Sequence, residues 1–379
     1  MPKKRALQVK RGSSQARDPA QAVNELVEQI QQDGAVLTLL FVSPSYDKAA
    51  LQTALEGVFG GVVVGCTTAG EITQAGFVEQ SLTGVSLAGN ALQAWAHVIQ
   101  DLHHFNPAQA QQLGDLLHDA LPNEAELDPD HAFALLLVDG LSMREEQLLA
   151  LLHPHLDGIA LVGGSAGDGL AFQESFVYAQ GRWHHHAAVL TLVHCETPFM
   201  PFQWHHFKPT ATRLIITACD PMGRRVTEIN GLPASQAYAT AVGVPEAALN
   251  SDIFSRHPTM LQMGGSHYVR AIQQANGDGS LTFYSAVERG LVLHLAQAAD
   301  MVKHLEQQLH LMHAEMANPQ LVLICDCILR RLEAKQKGVL PQLSQLLAHH
   351  PVIGFSTYGE QSGGIHINQT MTGIVLGGA

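Results

Sequence analysis

Twenty-two histidines, against 21 lysines and arginines together, are the first chemical feature of this 379-residue chain. Imidazole titrates near neutral pH and is the commonest metal ligand, so such a surplus points toward a metal or metal-cofactor site. Many of them occur in runs: His103-His104, His184-His185-His186, His205-His206 and His349-His350. Adjacent residues on a strand face opposite ways, so a run rarely gives two ligands to one ion, and most of these are expected at the surface or in loops. His310 and His313 stand one helical turn apart with Glu306 a turn before, a spacing that can bind zinc, but no H-E-x-x-H motif or carboxylate-rich partner set accompanies them.

Other residue types offer less. Glu71 and Glu360 occupy matching places in two copies of one motif; a paired-acid hydrolase would need such carboxylates, yet a shared structural role explains the repetition better. Arg270 could pin a carboxylate bidentately, or pair with Glu360 or Asp278. Ser165 misses the nucleophile-elbow pattern by one place, and there is no C-x-x-C, P-loop or full G-x-G-x-x-G before a helix. The five cysteines are few and odd in number, which argues against a disulfide framework and suits a reducing cytoplasm; Cys325 and Cys327 share one face of a strand and read as small core residues. Nothing here supports an enzyme.

These residues sit on repeated elements. Val64-Gly65-Cys66-Thr67-Thr68-Ala69-Gly70-Glu71 and Ile353-Gly354-Phe355-Ser356-Thr357-Tyr358-Gly359-Glu360 share the pattern apolar-Gly-x-Ser/Thr-Thr-x-Gly-Glu. In each, a Thr-Gly (Thr83-Gly84, Thr372-Gly373) follows at the same spacing from the glutamate. Val162-Gly163-Gly164-Ser165-Ala166-Gly167-Asp168 is a looser third copy. Each is preceded by an apolar strand-like run (36–42, 133–138, 321–327) and a helix-like segment (47–58, 143–152, 340–347). The pattern predicts an α/β protein of two lobes built from duplicated strand–helix–strand units with mixed sheets, the ligand lying between the lobes or at the Gly-rich strand ends. The Gly-rich turns could hold a ligand carboxylate on their N–H groups or simply cap strands. Residues 1–23 read as a mobile, solvated arm, followed by domains at 24–222 and 223–379.

The net charge of −13 argues against a nucleic-acid or anionic-membrane footprint, and no apolar run approaches the roughly 18 residues of a spanning helix.

The motifs at 65–71, 163–168 and 354–360, with Tyr268-Val269-Arg270 and His366-Ile367-Asn368-Gln369-Thr370, resemble the two-part FIST sensory domain family over nearly the whole chain after residue 30. The resemblance implies a cytoplasmic, non-enzymatic module of bacterial signal transduction binding small molecules such as amino acids. Its NosP branch binds haem, senses nitric oxide and acts on a partner histidine kinase, and His205-His206-Phe207-Lys208-Pro209-Thr210 looks like the H-F-x-P-T stretch of its haem-binding members. On that reading haem b is held by His206, with Phe207 packing on the porphyrin; His267 beside Tyr268 is the second choice, with Arg270 as propionate partner and His366 as a pocket hydrogen-bonder. In extended geometry 267 and 270 face opposite sides, which weakens their pairing. Homodimerisation is compatible with the sequence. The alternative is an amino-acid or small-carboxylate receptor without haem.

Overall fold

The structure, a computed structural model, describes residues 7–120 and 128–378. Three strand–helix–strand units make a ring. Each has a lead strand (Ala35–Val42, Ala132–Val138, Pro319–Cys327), a second strand parallel to it (Val62–Thr67, Ala160–Ser165, Val352–Thr357) and a return strand antiparallel to the lead (Leu82–Ala88, Ala188–Cys195, Met371–Gly377). One helix crosses between lead and second strand in units one and two (Lys48–Leu55, Glu145–Leu152). Two do so in unit three (Ile328–Gln336, Leu340–Ala348).

Between second and return strands each unit projects a short hairpin, and no hairpin pairs with its own unit's second strand. That of unit one (Glu71–Thr73, Gly76–Val78) joins unit three, setting Ile72 opposite Gly354. That of unit two (Val177–Ala179, Arg182–His184) joins unit one, setting Tyr178 opposite Gly65. That of unit three (Glu360–Ser362, Ile365–Ile367) joins unit two, setting Gln361 opposite Gly163. The exchange is cyclic and the register is the same each time. An edge strand completes each six-stranded sheet on the return-strand side: Gln8–Ser14, Leu92–Ile99 and Phe199–Trp204.

Lead strands read as continuous apolar runs because both faces are buried. Leu37, Leu39 and Phe41, with Phe133, Leu135 and Leu137 and with Leu321, Leu323 and Cys325, meet in one core shared by the three sheets. Phe41 stacks on Phe355 there, centroids 4.7 Å apart. The alternate residues, such as Leu40, Leu136 and Ile324, pack outward against the helices.

The Gly-rich turns stitch the ring. Ala69 N donates to Ser356 O (2.9 Å), Tyr358 N to Ser165 O (3.1 Å) and Gly167 N to Thr67 O (3.0 Å). Of the two roles open to these turns, the N–H groups named take the capping one.

The fourth sheet, Phe207–Ala298, is inserted between the edge and lead strands of unit three and forms the second lobe around Tyr238, Phe254 and Phe283. Two expectations change. The lobe starts at Phe207, not near 222, because Phe199–Trp204 is captured by the return strand Met371–Gly377. The supposed mobile arm contains the edge strand Gln8–Ser14, paired with Leu82–Ala88, and the start of a helix at Pro19 with Asp18 capping it; residues 1–6 lie outside the described residues. Its alternation was masked by basic side chains, which an edge strand tolerates on its exposed face.

Candidate functional site

A pocket of about 230 Å³ opens between the ring and the fourth sheet, at the carboxyl ends of the parallel strands. That is where open α/β sheets bind ligands. The loop after the unit-two lead strand is fixed by Asp139, whose carboxylate accepts from Leu141 N (3.0 Å) and His186 N (2.6 Å); Gly140 and Leu141 form one wall. Asp168 accepts from Phe172 N (2.8 Å), Gln173 N (2.7 Å) and Glu174 N (3.0 Å) and from the Tyr358 hydroxyl. Burial opposes ionisation of Asp168, but those donors prevail and hold it below its ordinary value. They bring Phe172 onto Tyr358, stacked at 4.6 Å, as a second wall.

The fourth sheet supplies Arg224, Phe283 and Tyr284. The Arg224 Nη2 donates to Glu145 (3.0 Å) and Glu146 (2.9 Å) at the start of the unit-two helix, and its Nη1 donates to Tyr284 O. A guanidinium and a carboxylate thus stand side by side at the edge of an apolar, aromatic wall.

The backbone singles out the same place. Ten non-glycine residues among those described have positive φ, and three line this pocket: Met143 (54°), Phe172 (53°) and Arg224 (48°). Bulky side chains seldom adopt this conformation, and it tends to persist where function requires it. Met143 and Phe172 are also 49% and 46% exposed, large apolar groups left at the pocket mouth.

The residues singled out from sequence divide. Arg270 and His366 come together: Arg270 Nη1 donates to His366 O (2.7 Å), and His366, buried and held below its ordinary pKa by desolvation, is among the residues lining the pocket. Neither expected partner of Arg270 is its own, since Asp278 pairs with Arg225 and Glu360 accepts from Thr357 and Thr370. His206 lies elsewhere, at the junction of the two lobes. Its Nε2–H donates to Glu333 (3.0 Å) and its Nδ1 accepts from Arg330 (3.0 Å), a tautomer assigned from these partners. Burial, first, keeps the ring below its ordinary pKa despite Glu333. With both nitrogens engaged, His206 offers no free lone pair to iron in this structure. Phe207 packs against Met260, Val269 and Ala296, away from the pocket. His267 and Tyr268 lie on the strand Ser266–Arg270, the His267 ring 6.1 Å from that of His294. His313 Nε2 faces His350 Nδ1 at 2.8 Å, but among the described residues no group of three or more His, Cys, Asp or Glu is placed to hold a metal ion.

Glu71 and Glu360 take matching roles. Glu71 accepts from the Thr68 hydroxyl, Ser81 N (3.1 Å) and the Ser81 hydroxyl (2.8 Å), while Glu360 accepts from the Thr357 hydroxyl and Thr370 N (3.3 Å). Both tie a turn to the start of a return strand. Burial lifts Glu71 to about 7 and Glu360 well above the carboxylate range. A carboxyl raised by folding contributes stability that is complete below its unfolded value and lost as pH rises through the folded one. Stability should therefore fall between about pH 4.5 and 7, by up to about 3 kcal/mol for Glu71. In urea titrations across this range, Glu71→Gln should flatten that part of the slope.

The fold is an α/β scaffold with a pocket at the carboxyl ends of its parallel strands. The chain belongs to the FIST family: the FIST N domain matches residues 36–232 and the FIST C domain residues 234–363. FIST domains are ligand-binding sensor domains of signalling proteins, and their role is sensory rather than catalytic. The two matches meet inside the fourth sheet, as expected for halves that interlock. No curated protein matches the chain. Among the described residues no helix is long and apolar enough to cross a membrane.

Proposed function

We propose that this protein is a cytoplasmic sensor whose input is a small carboxylate, best an amino acid with an apolar side chain, taken up between the ring and the fourth sheet. What carries the reading is the convergence of three strained residues, Met143, Phe172 and Arg224, on one pocket. Arg224 would meet the ligand carboxylate, Glu145 its ammonium group, and Phe172 with Tyr358 its side chain. The ligand bridges two lobes, so it favours the arrangement in which both touch it, and that unequal affinity is what a sensor transmits. The volume of about 230 Å³ lies just below the range of drug-sized sites and suits such a ligand.

A panel of amino acids and small carboxylates tested by thermal shift should contain one that stabilises the protein by about 2.7 kcal/mol at a hundredfold excess over Kd. Phe172→Ala, at a half-exposed position, should fold normally and weaken that ligand about tenfold. If no panel member shifts the melting point, or Phe172→Ala binds unchanged, the proposal fails.

One observation favours a second reading. His366 is the one histidine among the residues lining a pocket whose walls include Leu141, Phe172 and Phe283. Haem b, if this is its site, would be held there by His366 with Arg224 near a propionate, and the bound iron would supply nitric oxide binding for a partner histidine kinase. The pocket would have to widen to admit it. A Soret band on reconstitution that is lost in His366→Ala but kept in His206→Ala would favour this reading; a flat visible spectrum would remove it.

A further inference from the structure

A second pocket, of about 360 Å³, lies at the carboxyl ends of the unit-one strands, the counterpart in the ring of the first. Ile328, the first residue of the Ile328–Gln336 helix, walls both. The chemistry differs. The first pocket's apolar wall is aromatic; here it is aliphatic, from Leu170, Ile328 and Leu332, and the polar groups are Ser43, Ser45, Gln80, Arg331 and Lys335 with Glu71 and Glu79. We propose that it is a separate binding site for a small organic anion carrying a phosphate or carboxylate group.

Arg331 is nearly fully buried. Its Nη1 donates to the Ser356 hydroxyl (3.3 Å) and its Nη2 to Val78 O (2.8 Å) and Glu79 (3.3 Å), while its Nε has no partner. A buried guanidinium with an unused donor is a costly arrangement, and negative charge brought to the pocket beside it would offset part of that cost. The chain makes room for it: a Cβ on Gly70 would overlap the Arg331 Nη1, and Gly70 has a φ of 124°, so glycine is required on both counts. Gln80 adds a further strained position, with φ 57°. The Ser43 and Ser45 hydroxyls on the facing loop bond to one another at 2.9 Å, which leaves one O–H of the pair as an additional donor.

Charge supports the assignment. Two cations, Arg331 and Lys335, face two carboxyls. Glu79 is more than half exposed, ionised, and shared between both cations, so an incoming anion can replace it. Glu71, held up to about 7 by burial, is mostly neutral at pH 6. On a chain of formal charge −13, two cations brought to one pocket suit an anion.

The test is thermal shift and calorimetry on the whole protein at pH 6, with inorganic phosphate and acetate as probes and sodium chloride matched in ionic strength. A saturable stabilisation by phosphate or acetate beyond that of chloride is expected. Lys335→Gln, at an exposed side chain, should weaken it about tenfold, and Ser45→Ala several-fold, whereas Phe172→Ala in the first pocket should leave it unchanged. Equal effects of all three salts, or unchanged affinity in Lys335→Gln, would overturn the proposal. Loss of the effect in Phe172→Ala would place the anion in the first pocket and overturn it too. Failure here leaves the first pocket's ligand shift intact.

Discussion

Replacing Asp326 by Asn should destabilise the protein by about 3–5 kcal/mol, the largest effect expected of any isosteric change in the chain. Asp326 Oδ1 accepts from Arg330 Nε at 2.7 Å, with side chains only 2% and 4% exposed. From there the network continues through His206 to Glu333, which also takes Lys337. Burial pushes the Asp326 carboxyl up while Arg330 pulls it down, so neither charge is comfortable without the other. Removing the carboxylate strands a buried guanidinium, and the loss reaches His206 in the connection that carries the fourth sheet. Urea denaturation measures it. Asp326→Asn with Arg330→Met should recover much of the loss, because the cost lies in the unpaired charge rather than in the missing contact. A single-mutant cost under about 1 kcal/mol would show that water reaches Arg330.

Gly354→Ala should cost roughly 3 kcal/mol, or leave no soluble protein. Gly354 stands beside Ile324 on the lead strand, and a Cβ there would overlap the Ile324 carbonyl oxygen. Gly65 against Leu40 and Gly163 against Leu136 repeat the contact in the other units. None of the three relies on positive φ; the obstacle is a backbone atom that a sheet strand cannot move. Gly60→Ala is the control of opposite sign. Nothing lies within 4 Å of its Cβ, so it should be neutral or stabilising by about 0.5 kcal/mol through the unfolded chain. Thermal melts of the three unit glycines against Gly60→Ala would show whether the close approach or glycine flexibility is responsible.

These glycines were the most legible part of the sequence. The two matching copies around Gly65 and Gly354, and the loose one around Gly163, proved to be one position in three units, because a backbone collision leaves only one residue type and so survives divergence of everything around it. The turn at Asn230-Gly231, with φ of 54° and 77°, is legible in the same local way, since those residue types suit positive φ. What the hairpins pair with was not. Strands of three residues carry no periodicity, and Val177–Ala179 pairs with residues more than 100 positions earlier. The site suffered likewise. The chain neighbours of His206, Phe207 among them, say nothing of the residues that bond its ring, Arg330 and Glu333, which are 124 and 127 residues away. Arg224, Glu145 and Phe172 carry no motif. The one available signal was the Pro221-Met222-Gly223 turn, which marks a tight bend just before Arg224 without saying what it faces.

The exchange of hairpins has a consequence for how such a protein can be cut or built. A unit expressed alone with its edge strand would keep a four-stranded sheet whose second strand has lost its hairpin partner, and a hairpin with nowhere to go, so neither half of the chain is expected to be a stable product. Yet every junction in the ring joins one unit's hairpin to another unit's second strand in the same register. What closes the circle is therefore three units rather than one continuous chain: three copies of a single-unit polypeptide would close it equally well, as a domain-swapped trimer.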